Sequence, residues 1–229
     1  MHRKRYDAHE TLVAPARPSA NPLRLFAGAV LAVALILPMA FVYAGIAPGL
    51  LGYENTNSLI DGRSPVAVLI LLFEFAFLIL ALSMVLRLLH RRSIVSLLGP
   101  VRRSAAQFVR VTRYLLQLYL LFLVMPMPEV YRLSANLSLA SWVLWLPLAL
   151  PCLLVQISAE ELAFRGYLQS QLAARFTHPI VWMGIPSMLF GLMHYDPVLA
   201  GDNAWVLALS LIHISEPTRP MKESRITSY

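Results

Sequence analysis

The chain has 229 residues, of which 58% are hydrophobic and only 14% charged, and its mean hydropathy is +0.65. Soluble domains carry about 25% charged residues, so this composition excludes an ordinary soluble protein and indicates a chain surrounded by lipid. The net charge of +7 does not indicate nucleic-acid binding, because the arginines lie between apolar runs, as in the cytoplasmic loops of membrane proteins. The single cysteine, Cys152, excludes an intramolecular disulfide.

The N-terminal half alternates polar segments with apolar runs. Residues 1–22 are rich in arginine and proline, and we predict a disordered cytoplasmic tail there. Residues 23–137 are predicted to form a three-span membrane region, with spans at about 23–51, 65–89 and 107–125, each near the roughly 20 residues that cross a bilayer. The arginine-rich segment between the second and third spans contains no acid, which places it and the N-terminus in the cytoplasm.

The next region, residues 138–210, is predicted to carry the chemistry. A fourth helix runs from about 138 to 176, a fifth from 179 to about 195, and a sixth apolar run begins near 203. The chain is therefore predicted to be all-α, a polytopic transmembrane helical bundle with five spans plus a truncated sixth.

The sixth apolar run is unusually short. It extends from Ala204 to about Ile214, about 17 Å of helix against a hydrocarbon core of about 30 Å. A polar stretch follows abruptly, although a span cannot stop half-way in lipid with its last carbonyls unsatisfied. We therefore interpret residues 211–229 as a non-native or artefactual tail on a truncated chain. The alternative is a short re-entrant segment with a genuine polar tail.

Two acids and an arginine lie inside the fourth helix. Ionisable residues in apolar helices are costly and usually mark function. Glu161 and Arg165 are four residues apart and share a helix face, so the arginine would hold Glu161 ionised and leave Glu160 available as a general base. The alternative is a structural ion pair beside an acid at the membrane interface.

His194 is predicted to face this pair. Glu161 lies 15 residues before Phe176, and His194 lies 15 residues after Pro179, so each is roughly 22 Å from the turn between the helices. An antiparallel hairpin would bring His194 level with the two acids near the middle of the bilayer. A histidine on an apolar face can also be purely structural, and that alternative stays open.

Small residues suit close approach of membrane helices, and both helices of the predicted hairpin carry them. They are Ala159, Ala163, Gly166, Ser170 and Ala174 on the first helix, and Gly184, Ser187 and Gly191 on the second.

The candidate residues also allow metal chemistry. A glutamate can activate water, and a histidine can bind a metal or stabilise an oxyanion. Glu160 and His194 are candidate ligands of a divalent metal such as zinc. They form an incomplete set, because catalytic zinc usually has three protein ligands, and the missing ligand is expected from a downstream helix.

These residues carry a family resemblance. Glu160-Glu161-Leu-Ala-Phe-Arg165, followed by Gly166-Tyr167, resembles the EExxxR motif of the CPBP family of CAAX proteases and bacteriocin-processing intramembrane proteins. Phe190-Gly-Leu-Met-His194 resembles the second motif of that family, FxxxH. The resemblance covers roughly residues 140–210.

The resemblance implies a role for each site residue. It implies that Glu160 activates the water, that Glu161 and Arg165 hold the site, and that His194 assists as a ligand or oxyanion partner. The later HxxxN/D motif of the family is missing, because His213 is followed by Ile, Ser, Glu and Pro217. This departure puts the activity of the chain in doubt.

Three functional hypotheses follow. The first is an intramembrane endopeptidase of a bacterial inner membrane, acting on a membrane-associated or lipidated peptide or protein. The second is a non-catalytic scaffold or bacteriocin immunity protein with the same fold. The third is a small ion-coupled transporter that uses its buried charges, including Glu74 of the second span.

Overall fold

The computed structural model describes residues 9–50, 64–126, 137–197 and 201–214. These residues are 88% helical and contain no β-strand, which confirms the all-α prediction. The helices in chain order are α1 (Glu10–Val13), α2 (Pro22–Leu50), α3 (Pro65–Glu74), α4 (Ala76–Leu89), α5 (Val101–Val124), α6 (Leu139–Glu161), α7 (Gln169–Arg175), α8 (Ile185–Met193) and α9 (Ala204–Ile214).

Four stretches are long and apolar enough to cross a membrane: Pro22–Ala47, Pro65–Leu89, Val101–Val124 and Leu139–Arg175. They correspond to the first four predicted spans. The second span is α3 followed by α4, interrupted by a turn at Phe75. Its N-terminus is fixed by Ser64, whose side chain accepts a hydrogen bond from the Ala67 amide at 3.1 Å.

The fifth predicted helix is present but shorter than a span, covering Ile180–Met193. It ends because the amides of His194 and Tyr195 turn back to Gly191 and Leu192, at 3.1 Å each. Pro197 then follows, and the residue before a proline rarely stays helical. The last described helix, α9, has 11 residues.

The N-terminal segment differs from the prediction of a disordered tail over residues 1–22. Residues 1–8 lie outside the described part, but α1 and a 3-10 turn at Ala14–Ser19 are folded and contact α7. Val13 and Ala16 are buried there. Pro15 does not prevent this folding, because it lies at the start of the 3-10 turn, where a missing amide hydrogen costs nothing. Pro18 lies inside the same turn.

The core lies where α2, α4 and the C-terminal part of the fourth span meet. Val85 and Leu86 of α4 are fully buried, and Leu162 and Tyr167 pack into the same cluster. The π-helical turn Leu162–Leu168, which joins α6 to α7, is therefore fixed by contacts from the N-terminal half of the chain.

The third span, α5, is different from the others. It contains no buried residue and begins at Val101, directly after Pro100, earlier than the predicted start near residue 107. Its arginines all lie between Arg102 and Arg113, and the rest of the helix carries no charge. The other described parts of the chain therefore leave the side chains of this helix uncovered.

The fourth span is continuous in spite of Pro147 and Pro151, as predicted, and ends at Arg175. Its 37 residues correspond to roughly 55 Å of helix, well beyond a hydrocarbon core of about 30 Å. The C-terminal end, α7, carries the polar residues Gln169, Ser170 and Gln171 and packs against the N-terminal segment. This end therefore lies at the same end of the helical bundle as the N-terminal segment.

Candidate active site

Glu161 and Arg165 form the ion pair that the spacing predicted. Glu161 is the last residue of α6, and Arg165 lies inside the π-helical turn that follows. Both side chains are partly exposed, 46% and 37% respectively, so the pair faces an open space rather than the core. A π-helical turn is rare and often marks a functional position.

Glu160 has a different partner. Gln156, one helical turn earlier, donates from Nε2 to Oε1 of Glu160 at 3.5 Å, a long contact. No ion pair of Glu160 occurs among the described residues, whereas its neighbour Glu161 is paired with Arg165. The two adjacent acids are therefore unequal, with one held by a cation and the other open to a substrate or a water molecule.

Both acids line a small cleft between the two helices of the C-terminal hairpin. Its empty space is about 260 Å³, including solvent at the mouth. The fourth span contributes Glu160, Glu161, Phe164, Arg165 and Gln169, and the fifth helix contributes Pro186, Ser187 and Phe190.

The hairpin is antiparallel, as predicted. The π-helical turn Leu162–Leu168 contacts α8, and α7 contacts the beginning of the fifth helix. Phe164 and Phe190 meet edge to face with their ring centroids 5.2 Å apart. Because Glu160 and His194 each lie four residues from this ring pair, they occur at similar heights along the hairpin.

His194 is half-buried and lies beside the cleft, not among the residues that line it. Its Nδ1 is 2.8 Å from the Phe190 carbonyl oxygen, and its ring lies 4.5 Å from the Phe190 ring. A carbonyl only accepts, so Nδ1 carries the hydrogen and Nε2 remains for other partners. Phe190 therefore orients His194 through both its backbone and its ring.

The residues that the structure describes do not by themselves make up a zinc site. Within the described ranges, no group of three or more His, Cys, Asp or Glu side chains comes together. Catalytic zinc ordinarily has three protein ligands, and Glu161 is already paired with Arg165. We therefore derive no step through a metal.

The predicted small-residue contact holds only in part. Ser187 and Gly191 are buried as expected. Gly166 instead faces a different element, because a Cβ there would lie 3.0 Å from the Cβ of Leu97. Gly184 is exposed, and the hairpin makes no use of its small size.

Four residues that line the cleft or contact Glu160 were not singled out from the sequence: Gln156, Phe164, Gln169 and Pro186. The sequence does contain a signal for the two glutamines, Gln156 and Gln169. Gln156 lies four residues before Glu160, and Gln169 lies four residues after Arg165, so each glutamine shares a helix face with a predicted site residue. Phe164 and Pro186 had none, because both are ordinary residues of an apolar membrane helix. Ser187 and Phe190 are already part of the predicted small-residue contact and of the FxxxH-like motif.

Glu74, the acid proposed for transport, lies elsewhere. It ends α3, beside the turn at Phe75, and is not among the residues lining the cleft. The third hypothesis therefore gains no support from the site.

The comparison with protein families agrees with the motifs. Residues 140–215 match the family described as type II CAAX prenyl endopeptidase Rce1-like. The match covers about a third of the chain, so this region is similar to the CAAX protease family, and it extends past residue 210, the end of the predicted catalytic region. Searches of the curated proteins and of the solved structures give no significant match.

Proposed function

We propose that the chain is an intramembrane endopeptidase that hydrolyses a peptide bond with a water activated by Glu160. The observation that supports this most directly is the inequality of the two adjacent acids. Arg165 pairs with Glu161, while Glu160 lines the same cleft without a cation partner among the described residues. A structural ion pair alone does not need the second acid.

In the proposed reaction, Glu160 takes a proton from water, and the oxygen of that water bonds to the carbon of the scissile carbonyl. The resulting tetrahedral intermediate collapses as the carbon–nitrogen bond breaks. Glu160 then returns its proton to the leaving nitrogen, so protons and electrons balance without another reactant.

The other residues stabilise charge and geometry. Arg165 holds Glu161 and places a positive charge at the cleft, where the oxyanion develops. His194 donates its Nδ1 hydrogen to the Phe190 carbonyl oxygen, so its Nε2 is a hydrogen-bond acceptor on the facing helix and can help to orient the attacking water. Gln156 donates to Glu160 and limits its rotation.

The proposed substrate is a membrane-associated or lipidated peptide or protein. The name of the matching family refers to prenylated CAAX sequences, and the cleft lies between helices with lipid-compatible surfaces, such as the exposed Ile157 and Leu189. A substrate tethered to the bilayer would reach this cleft laterally.

We place the protein in a bacterial inner membrane with its N-terminus in the cytoplasm. The support is the arginine-rich stretch between the second and third spans. Its first residues contact the N-terminal segment and the end of the fourth span, so these segments share one side of the membrane. The site would then open toward the cytoplasmic side.

The proposal is tested with the full chain in proteoliposomes and two internally quenched peptides. One peptide ends in a farnesylated Cys-aliphatic-aliphatic-X sequence, and the other has the same sequence without the lipid. Mass spectrometry locates any cleavage. Cleavage of either peptide supports the endopeptidase, and a preference for the first supports a lipidated substrate. No cleavage of either peptide would contradict the proposal and favour the non-catalytic scaffold.

A further inference from the structure

A second polar cluster lies at the end of the bundle that carries the N-terminal segment. At its centre is His90, which directly follows α4 and is only 6% exposed. His90 Nδ1 is 2.9 Å from Ser19 Oγ and 3.1 Å from Gln171 Nε2. His90 Nε2 is 2.9 Å from the Tyr167 hydroxyl. One imidazole thus joins the end of α4 to two distant segments, the 3-10 turn Ala14–Ser19 and the part of the fourth span that contains Tyr167 and Gln171.

The hydrogen bond between His90 and Tyr167 does not depend on which neutral tautomer His90 adopts. The Tyr167 hydroxyl can both donate and accept, so it pairs with Nε2 of His90 whether or not that nitrogen carries the hydrogen. The arrangement therefore uses the neutral form of His90 and both of its nitrogens.

His90 is neutral at physiological pH. Burial disfavours its charged form, and the nearby positive charges of Arg92 and Arg24 add to this effect, lowering the pKa of His90 to about 4. The hydrogen-bond partners of His90 are Ser19, Gln171 and Tyr167, and all three are uncharged at physiological pH. The hydrogen bond to Tyr167 is therefore present throughout the neutral range.

Tyr167 belongs to the π-helical turn that contains Arg165. Its hydroxyl packs against α2 at Gly28, where an added Cβ would collide with it. At the neighbouring position, Gly166 has no side chain, and this leaves room for the side chain of Leu97. The π-helical turn is thus held by the first span, by His90 and by the 3-10 turn Ile94–Leu97.

A π-helical turn contains about one more residue per turn than an α-helix. Glu160 and Glu161 precede the turn, and Gln169 follows it. If the segment relaxed to α-helix, the parts on either side would rotate relative to each other by about 100°. The acids would then no longer face the same cleft as Gln169 and the fifth helix.

We propose that His90 is a positioning residue for the site, and that its hydrogen bond to Tyr167 holds the π-helical turn in the register that places Glu160, Glu161 and Arg165 in the cleft. This inference rests on the proposed function for its catalytic consequence. The structural link between His90 and the turn can be tested separately.

The kinetic test uses His90→Gln, Tyr167→Phe and the double variant in proteoliposomes. Tyr119→Phe on α5 is the matched control, because Tyr119 is 64% exposed. We expect each single variant to lower kcat about tenfold with KM changed less than about twofold, and the double variant to equal the singles. Unchanged kcat in the singles, or effects that multiply in the double variant, would overturn the positioning role.

The structural test is hydrogen exchange measured by mass spectrometry. We expect faster exchange of amides 162–168 in His90→Gln and in Tyr167→Phe, and no change in Tyr119→Phe. Unchanged exchange in both would overturn the link. If the unaltered chain cleaves no peptide but exchange responds as expected, the proposed function fails while the link from His90 to the turn stands.

Discussion

The rings of Phe164 and Phe190 meet edge to face at 5.2 Å, and this contact sets the register of the helices that form the cleft. It lies one helical turn below Glu160 on one helix and one turn below His194 on the other. The same Phe190 accepts the hydrogen bond of His194 through its carbonyl. Hairpin register and histidine orientation thus depend on a single residue.

Phe190→Ala should weaken the hairpin. Loss of the half-buried ring removes the contacts with Phe164 and His194, and we expect the free energy of unfolding in detergent to fall by about 1–3 kcal/mol. Phe122→Ala on α5 is the control, because Phe122 is 42% exposed and should change stability by less than about 0.5 kcal/mol. Equal effects of the two substitutions, measured by thermal denaturation, would contradict the assigned packing.

Arg165→Gln should reduce cleavage by about tenfold to a hundredfold through kcat. The substitution leaves Glu161 without its cation and removes the positive charge from the cleft. Arg165→Lys should recover part of the activity, because it restores charge without the planar fork. Arg103→Gln, on the exposed surface of α5, should behave as the unaltered chain. Full activity of Arg165→Gln would show that the pair is only structural.

Stability should depend on pH through His90. Its pKa is about 4 in the folded chain and about 6.5 when unfolded. Between these values the unfolded chain binds a proton that the folded chain does not, so stability is complete above about pH 6.5 and falls as the pH approaches 4. We expect a loss of about 1–3 kcal/mol from this group.

Thermal melts at pH 7 and pH 4.5 measure this loss. His90→Gln should melt with a smaller difference between the two pH values, whereas His178→Gln, at an exposed turn, should keep the full difference. The same pH dependence in His90→Gln and the unaltered chain would rule out His90 as its source.

Chelation should leave cleavage largely intact. The described residues supply Glu160 and His194 but no group of three metal-binding side chains, fewer than catalytic zinc usually has. Activity after treatment with 1,10-phenanthroline should therefore stay within about twofold of the untreated value, a change of about 0.4 kcal/mol in the barrier. Loss of activity that added zinc restores would contradict this and show that a further ligand completes the site.

Much of the fold could be predicted because hydropathy is a local property. The first four spans follow from runs of apolar residues, and the Glu161–Arg165 pair follows from a spacing of four on a helix. The antiparallel hairpin follows from the short turn after Arg175. Each of these features is contained within one segment of sequence.

The remaining features depend on partners far away in the chain. The N-terminal segment is folded because Ser19 meets His90, 71 residues later, and because α7 covers its apolar side chains. Composition alone predicts disorder there. Likewise, the π-helical turn depends on packing of Tyr167 against α2 and His90, and nothing in the local sequence distinguishes it from α-helix.

The most direct test of the account is the rate of peptide cleavage by Glu160→Gln in proteoliposomes, compared with Glu74→Gln. Both substitutions replace a glutamate of a membrane span by its neutral isostere, but only Glu160 lines the cleft. The account predicts that Glu160→Gln lowers kcat by about a hundredfold to ten-thousandfold, with unchanged thermal stability, while Glu74→Gln remains active. Full cleavage by Glu160→Gln would contradict the central claim that this carboxylate activates the water.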